Sequence, residues 1–430
     1  MLINHEAWTP LRPHRQQSIL SHSDARFICV RAGRRSGKTD CSMRRIVKAL
    51  AIKKPWLDPN YFYALPTREQ AKRVAWKRLK NLIPKNWLAC DPRESDLTIE
   101  TVFGSTLFLF GMDKPERLEG LGFDGGILDE RADMRPGVML SVIPALTDRN
   151  GWLIQSGAAK RFGVGASEFN DIFHRGLEGK PVPGGDPSDR SISLTWPSSD
   201  ILTPQQLALA RQELDELGFR EQFEAEEIDI SGGVYYAFSD RNILEDIAYN
   251  PEKEILVGSD FNVNPMGWVL CQEYGSELHV FDEVFARNTN TPQELDKLAA
   301  KFKHHKAGWS FYGDATGRSR KTSAMQSDYK HILLHESFKK ARVSYPKSNP
   351  AVCDRQASVN AMLCNSAGDR RLFVSPRCQY IIRDLRTQSH EQNANDIGHI
   401  ADGLGYLVHR RYPMRLHSAD SQNKIGIYSY

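Results

Sequence analysis

Apolar residues along this chain fall in short runs, and most runs end in a knot of small, hydroxylated or acidic residues. Phe27 to Ala32 is one such run. It is too short for a core helix, reads as a buried strand and leads into Gly33-Arg34-Arg35-Ser36-Gly37-Lys38-Thr39 and then a predicted helix. Asn60 to Leu65 repeats the strand pattern, and Thr67-Arg68-Glu69-Gln70 has the Thr-x-x-Gln form of a capping box. In the helix it opens, Trp76, Leu79 and Ile83 share one face. Lys72, Arg73, Lys77, Arg78 and Lys80 take the others, the pattern of an amphipathic surface helix. Residues Asp96 to Phe110 read as a hairpin turning at Gly104-Ser105. Gly126 to Leu128 is apolar and ends in Asp129-Glu130, and Gly151 to Gln155 ends in Ser156-Gly157-Ala158-Ala159. Strands interleaved with helices, with polar residues at the strand ends, predict an α/β fold with a largely parallel sheet and a site at its carboxyl edge.

Residues 162–196, rich in Gly, Pro, Ser and Asp, read as a mobile excursion, and Pro204 to Ile228 as a charged helical stretch. Composition shifts near residues 231–252, which divides the chain into a domain at 1–231, a linker at 232–252 and a second domain at 253–430. The second domain restarts with a strand from Glu254 to Asp260. A hairpin follows around Gly275-Ser276, and a strand from Trp309 ends at Asp314. Near the end, a helix capped by Asn395 or Asp396 places His399 and Asp402 on one face, three residues apart.

Composition narrows the picture only a little. The 430 residues carry 57 Lys and Arg against 53 Asp and Glu, so any nucleic-acid contact comes from local basic surface and not from a field over the whole protein. Lys339, Lys340, Arg342 and Lys347 form one such local cluster. The seven cysteines are scattered without a CxxC pair, which argues against a disulfide framework or a zinc site and for a reducing setting. No apolar run reaches membrane-spanning length and the first residues lack a hydrophobic signal core, so the expectation is a soluble protein that is not secreted.

Two constellations carry chemistry. A strand, a small-residue loop ending in Gly37-Lys38-Thr39 and the helix after it form a phosphate cradle. Backbone N–H groups approach the phosphates, Lys38 reaches the β/γ-phosphates and the Thr39 hydroxyl holds Mg²⁺. Ala32 stands where the consensus has its first glycine, and Gly33 comes one residue late. Asp129 and Glu130 complete a nucleotide hydrolase, Asp129 orienting Mg²⁺ and Glu130 taking a proton from the attacking water. In the second half, Asp260, Asp314 and Asp402 supply the clustered hard oxygens of a two-metal phosphodiesterase, whose ions lie ~3.5–4 Å apart. Glu283, Asp282, Asp396 and His399 are secondary candidates.

In these pieces the chain resembles the large terminase subunit of tailed bacteriophages. The likeness is carried by RAGRRSGKT, YALPTREQAKRVAWKRL, ERLEGLGFDGGILDE, IQSGAAKRFG and NDIGHIADGLGY. The resemblance implies an N-terminal P-loop ATPase domain followed by an RNase H-like nuclease domain. It implies ATP-driven translocation of double-stranded DNA into a procapsid, and endonucleolytic cutting of concatemeric DNA with two Mg²⁺ or Mn²⁺ ions. By the same resemblance Arg34 or Arg35 contacts the nucleotide phosphates, and Arg117 is an arginine finger acting on a neighbouring subunit of a homo-oligomeric ring. Gln16 or Gln17 contacts adenine, and Ser156-Gly157 couples hydrolysis to motion, with Ala158 where the family carries a hydroxyl. The implied partners are a terminase small subunit and the capsid portal, with no membrane. The implied location is the host cytoplasm, docked transiently on the procapsid portal and absent from the mature virion; the tail from Arg410 onward is a candidate portal contact. Two rival readings remain, a helicase-like repair or restriction ATPase with a nuclease domain, and a DNA-binding scaffold with a degenerate P-loop.

Overall fold

The computed structural model describes residues 14–228, 232–262, 264–318, 326–390 and 396–413. The chain forms two compact units. One comprises Met1–Leu207 with Arg220–Asp229, the other Ala208–Phe219 with Ile230–Tyr430.

The first unit is built on a seven-stranded sheet. Its strands are β1 (Phe27–Ala32), β2 (Asn60–Leu65), β3 (Thr98–Glu100), β4 (Thr106–Gly111), β5 (Gly125–Asp129), β6 (Trp152–Gly157) and β7 (Ser191–Trp196), in the order β3-β4-β2-β5-β6-β1-β7. Every pairing is parallel except the β3–β4 hairpin. β1, β2 and β5 are buried along their whole length, as central strands covered on both faces must be. Val30, Tyr63, Leu109 and Ile154 pack one face against the helix Lys38–Leu50, while Phe62, Leu128, Phe169 and Phe173 pack the other. The capping box at Thr67 and Gln70 is formed. Its helix contains a π turn, Ala71–Trp76, before resuming at Lys77–Leu82, and Trp76 and Leu79 are buried as the pattern requires.

The stretch 162–196 is not a structureless excursion. It holds the helix Ala166–Leu177 and the strand β7, which pairs with β1 over that strand's full length. Only the segment between them matches the loop reading. The density of Gly, Pro and Asp there concealed the alternation of Ser191–Trp196. The stretch expected as one charged helix is two, Pro204–Glu213 and Glu216–Phe223, broken at Leu214-Asp215.

The second unit carries a six-stranded sheet. Its strands are β8 (Ile255–Asp260), β9 (Met266–Tyr274), β10 (Glu277–Ala286), β11 (Trp309–Gly313), β12 (Arg342–Ser344) and β13 (Leu372–Val374), in the order β12-β11-β8-β9-β10-β13. β8, β9 and β10 form an antiparallel meander, and β11 joins β8 in parallel. The helix His399–Arg411 lies directly on this sheet. A Cβ on Gly258 would come within 2.4 Å of the Gly403 carbonyl, and one on Gly403 within 2.8 Å of the Gly258 carbonyl, so only glycine at both positions permits the approach.

That helix begins later than expected. His399 is its first residue and Gly398, at φ 101°, occupies the cap position, while Asn395 lies outside the described residues. Asp396 does not cap it. The missing cap comes from elsewhere in the chain: the wholly buried Asp384 accepts the Gly398 N–H at 2.9 Å and also the Ala401 N–H. Among the described residues no helix is long and apolar enough to cross a membrane, and no disulfide joins the cysteines. The tail beyond Pro413, with its expected portal contact, is outside the described residues.

Candidate functional sites

The loop Gly33–Gly37 leaves the end of β1 and enters the helix Lys38–Leu50. Arg35 and Gly37 take left-handed conformations, φ 57° and 80°, which curls the loop over the helix N-terminus. The loop is fastened from beneath. Gly33 N–H donates to the Trp196 carbonyl at 3.0 Å and Arg34 N–H to the Gln222 carbonyl at 2.7 Å. Ser198 Oγ donates to the Arg34 carbonyl at 2.7 Å. A Cβ on Gly33 would meet Ser198 Oγ at 2.3 Å, so the glycine one residue after the consensus position is the one this loop needs. The buried Ser36 offers its carbonyl to Gln17 Nε2 at 2.9 Å and to Trp196 Nε1 at 3.0 Å. Gln17 is wholly buried under the loop and Gln16 is half-buried beside it. Arg34 is half-buried and Arg35 exposed.

Asp129, at the end of β5, is buried and accepts four hydrogen bonds. They come from Tyr63 Oη at 2.6 Å, Ser156 Oγ at 2.7 Å, Thr39 Oγ1 at 3.0 Å and Glu130 N–H at 3.2 Å. Thr39 and Asp129 thus present two hard oxygens side by side, a donor set that fits Mg²⁺. Glu130 follows in a left-handed conformation, φ 58°, which turns its carboxylate toward Lys38, 4.0 Å away. Desolvation works to raise the Glu130 carboxyl, but the charges of Lys38, Lys160 and Arg34 outweigh it and hold the group below its ordinary value. Lys160, just past β6, pairs with Asp133 in the turn after Glu130. Ser156 and Gly157 are both buried in β6 and not in the loop after it. Arg117 lies exposed on the short turn Pro115–Leu118; Glu116 pairs with Arg135 at 3.5 Å and not with Arg117.

In the second unit, register places the first two acids together. Gly313 of β11 lies opposite Ser259 of β8, so Asp260 and Asp314 occupy the carboxyl ends of adjacent parallel strands. The helix His399–Arg411 adds the third. His399 Nδ1 lies 3.0 Å from Asp260 Oδ2, with Asn262 Nδ2 within 2.8 Å of the same oxygen. Burial pushes the Asp260 carboxyl up, the His399 bond pulls against it, and the charges of Asp402 and Asp314 add to the rise. The Tyr406 hydroxyl, pushed up to about 12 by burial, also feels all three carboxylates.

The other two carboxylates are partnered as well. Asp402 Oδ1 accepts from Arg355 at 2.8 Å, and Asp314 accepts from Thr316 Oγ1 and, at 3.0 Å, from the Gly317 N–H. Among the described residues no group of three or more His, Cys, Asp or Glu side chains is arranged to hold a metal. The donor chemistry of Asp260, Asp314 and Asp402 suits a divalent ion. Glu283 and Asp396 belong to another network. Glu283 accepts the Tyr380 and Ile381 N–H groups at 2.9 Å each and caps the helix Gln379–Thr387, and Asp282 pairs with Lys301. Asp396 pairs with Arg287 at 3.1 Å and Arg383 at 3.2 Å.

No protein-family model matches the sequence, and no curated protein matches it. Solved structures do. The large terminase of the thermophilic bacteriophage D6E superposes with a TM-score of 0.61 at 16% identity, over 93% of this chain and 99% of that one. The chain has the fold of a phage large terminase. The D6E protein in complex with ATP-γ-S and in complex with ADP matches at a TM-score of 0.58, each covering 92% of this chain and 98% of the other. Within this terminase fold several residues carry the site geometry without any signal in the linear pattern. Trp196, Ser198, Gln222 and Lys160 reach the site of the first unit from distant segments, and Arg355 reaches that of the second. Only Tyr63, mid-strand with a polar end on a buried side chain, had a local cue.

Proposed function

We propose that this chain is the large subunit of a phage terminase, hydrolysing ATP to drive double-stranded DNA into a procapsid and cutting concatemeric DNA with its second unit. The observation that carries this reading is one chain holding both a fastened phosphate loop facing Asp129-Glu130 and a second sheet with Asp260 and Asp314 on adjacent strand ends, over a fold shared end to end with a large terminase. The 16% identity makes this a reading of geometry and not of descent.

In the first unit, the loop amides and Lys38 bind the phosphates, with Arg34 or Arg35 adding charge. Thr39 and Asp129 would hold Mg²⁺, which would supply charge neutralisation on the phosphate oxygens. Glu130, ionised at neutral pH, takes the proton of the attacking water. Ser156, bonded to Asp129, passes the state of that acid into β6 through Gly157. Gln16 or Gln17 contacts the adenine. The half-buried Gln16 has the freer side chain, since Gln17 Nε2 is committed to Ser36. Arg117, exposed and in no ion pair among the described residues, acts on a neighbouring subunit in a homo-oligomeric ring. In the second unit Asp260, Asp314 and Asp402 are assigned to the divalent ions and His399 to the support of Asp260. The domain division at 231–252, the small subunit and portal as partners, and the host cytoplasm as location belong to the same reading.

Separable activities test it. Lys38→Ala and Glu130→Ala abolish ATP turnover and leave Mn²⁺-dependent plasmid cutting intact, whereas Asp260→Ala does the reverse. Loss of both activities in either folded variant overturns the two-site division.

A further inference from the structure

Asp260 is bonded to His399 and Asn262, and Asp314 to Thr316 and the Gly317 N–H, whereas Asp402 is held by an arginine. Arg355, on the helix Val352–Leu363, is 5% exposed. Its guanidinium donates to Asp402 Oδ1 at 2.8 Å and lies 4.2 Å from the centre of the Tyr406 ring. Among the described residues its Nε has no hydrogen-bond partner. An arginine side chain does not lose its proton, so this charge is permanent. Asp402 keeps about a third of its side chain exposed, at 36%.

We propose that Arg355 is a built-in counter-ion of the nuclease site, engaging Asp402 so that a divalent ion must displace it, which sets the site at rest to a low metal affinity. The proposal rests on the nuclease reading of the second unit. Ring stacking on Tyr406 and burial hold the guanidinium in place, so the competition is built into the fold. The opposite reading, that Arg355 merely orients Asp402 for metal, predicts the opposite sign on its removal.

Mn²⁺ titration of the full chain by calorimetry decides between them, with Asp260→Ala as the control that identifies binding elsewhere, including at the phosphate loop. Arg355→Gln is expected to tighten the Asp260-dependent Mn²⁺ site by at least about tenfold, because it removes a positive charge that repels the ion and holds one of its ligands. The Mn²⁺ concentration for half-maximal plasmid cutting then falls in step. If Arg355→Gln does not fold, as judged by circular dichroism, Tyr406→Leu replaces it. That change keeps the charge but removes the ring beneath it, and is expected to tighten binding by a smaller factor. Unchanged or weaker Mn²⁺ binding in a folded variant overturns the counter-ion role and leaves the nuclease reading standing. No Asp260-dependent Mn²⁺ binding in any protein, wild type included, overturns both.

Discussion

Ser156 Oγ donates a 2.7 Å hydrogen bond to Asp129 Oδ1, joining residues that sit opposite each other on the parallel strands β6 and β5. Both groups are buried, so the bond is made in a medium where it is strong and where its loss is expensive. Tyr63 and Thr39 hold the other oxygen of Asp129. The acid is therefore over-determined from three directions, and Ser156 is the only one of the three that lies on β6.

Removing that link has a specific expected result. Ser156→Ala is predicted to destabilise the first unit by about 1.5–3 kcal/mol, the usual worth of a hydrogen bond to a charged group. ATP turnover falls by about tenfold while ATP binding changes little, because the phosphate loop keeps its own fastenings. Thermal melts and steady-state phosphate release at saturating ATP check both statements.

The pH response of Glu130 follows from its neighbours. Lys38, Lys160 and Arg34 depress its carboxyl below the ordinary 4.5, so its charged form favours the fold above that value. That contribution disappears as pH falls through the depressed folded value. As a proton acceptor it stays competent through mildly acidic pH. Lys160→Met removes one of the depressing charges and moves the acid limb of the ATP turnover profile to higher pH, with Lys160→Arg restoring it. A limb that does not move shows that another group governs it.

Asp384 caps a helix to which it does not belong. Asp384→Ala leaves the Gly398 and Ala401 N–H groups without their acceptor at the start of the helix that carries His399 and Asp402. The expected loss is about 1–3 kcal/mol in the second unit, read as a lowered melting temperature. DNA cutting falls with it, and ATP turnover is unaffected.

Arg117 is exposed, and its neighbour Glu116 pairs with Arg135 instead. Arg117→Ala should leave ATP binding by the isolated chain unchanged and reduce turnover only under conditions where chains assemble. Mixing Arg117→Ala, impaired in the assembly, with Lys38→Ala, inactive alone, should recover part of the turnover if one subunit supplies the arginine and the other the phosphate loop.

Much of the architecture was legible because it depends on neighbours in the chain. The capping box at Thr67 and Gln70, the hairpins turning at Gly104-Ser105 and Gly275-Ser276, and the strands ending at Asp129, Asp260 and Asp314 are set by local periodicity and turn chemistry. Where composition and pairing disagreed, pairing prevailed. Ser191–Trp196 forms a strand because β1 offers it a full ladder, despite the Gly- and Pro-rich stretch before it. The final helix starts at His399 and not at Asp396 because two arginines take Asp396 and Asp384 supplies the cap from outside.

The sequence alone determined which residues stand at the strand ends and in the phosphate loop, since those positions follow from the alternation of apolar runs and turns. Only the tertiary structure decided how the carboxylates are partnered, with Asp129 bound by Tyr63, Thr39 and Ser156, Asp402 by Arg355, and Asp396 diverted to Arg287 and Arg383. A carboxylate's partner is set by which charges the fold brings within hydrogen-bonding distance, and those charges come from segments far away along the chain.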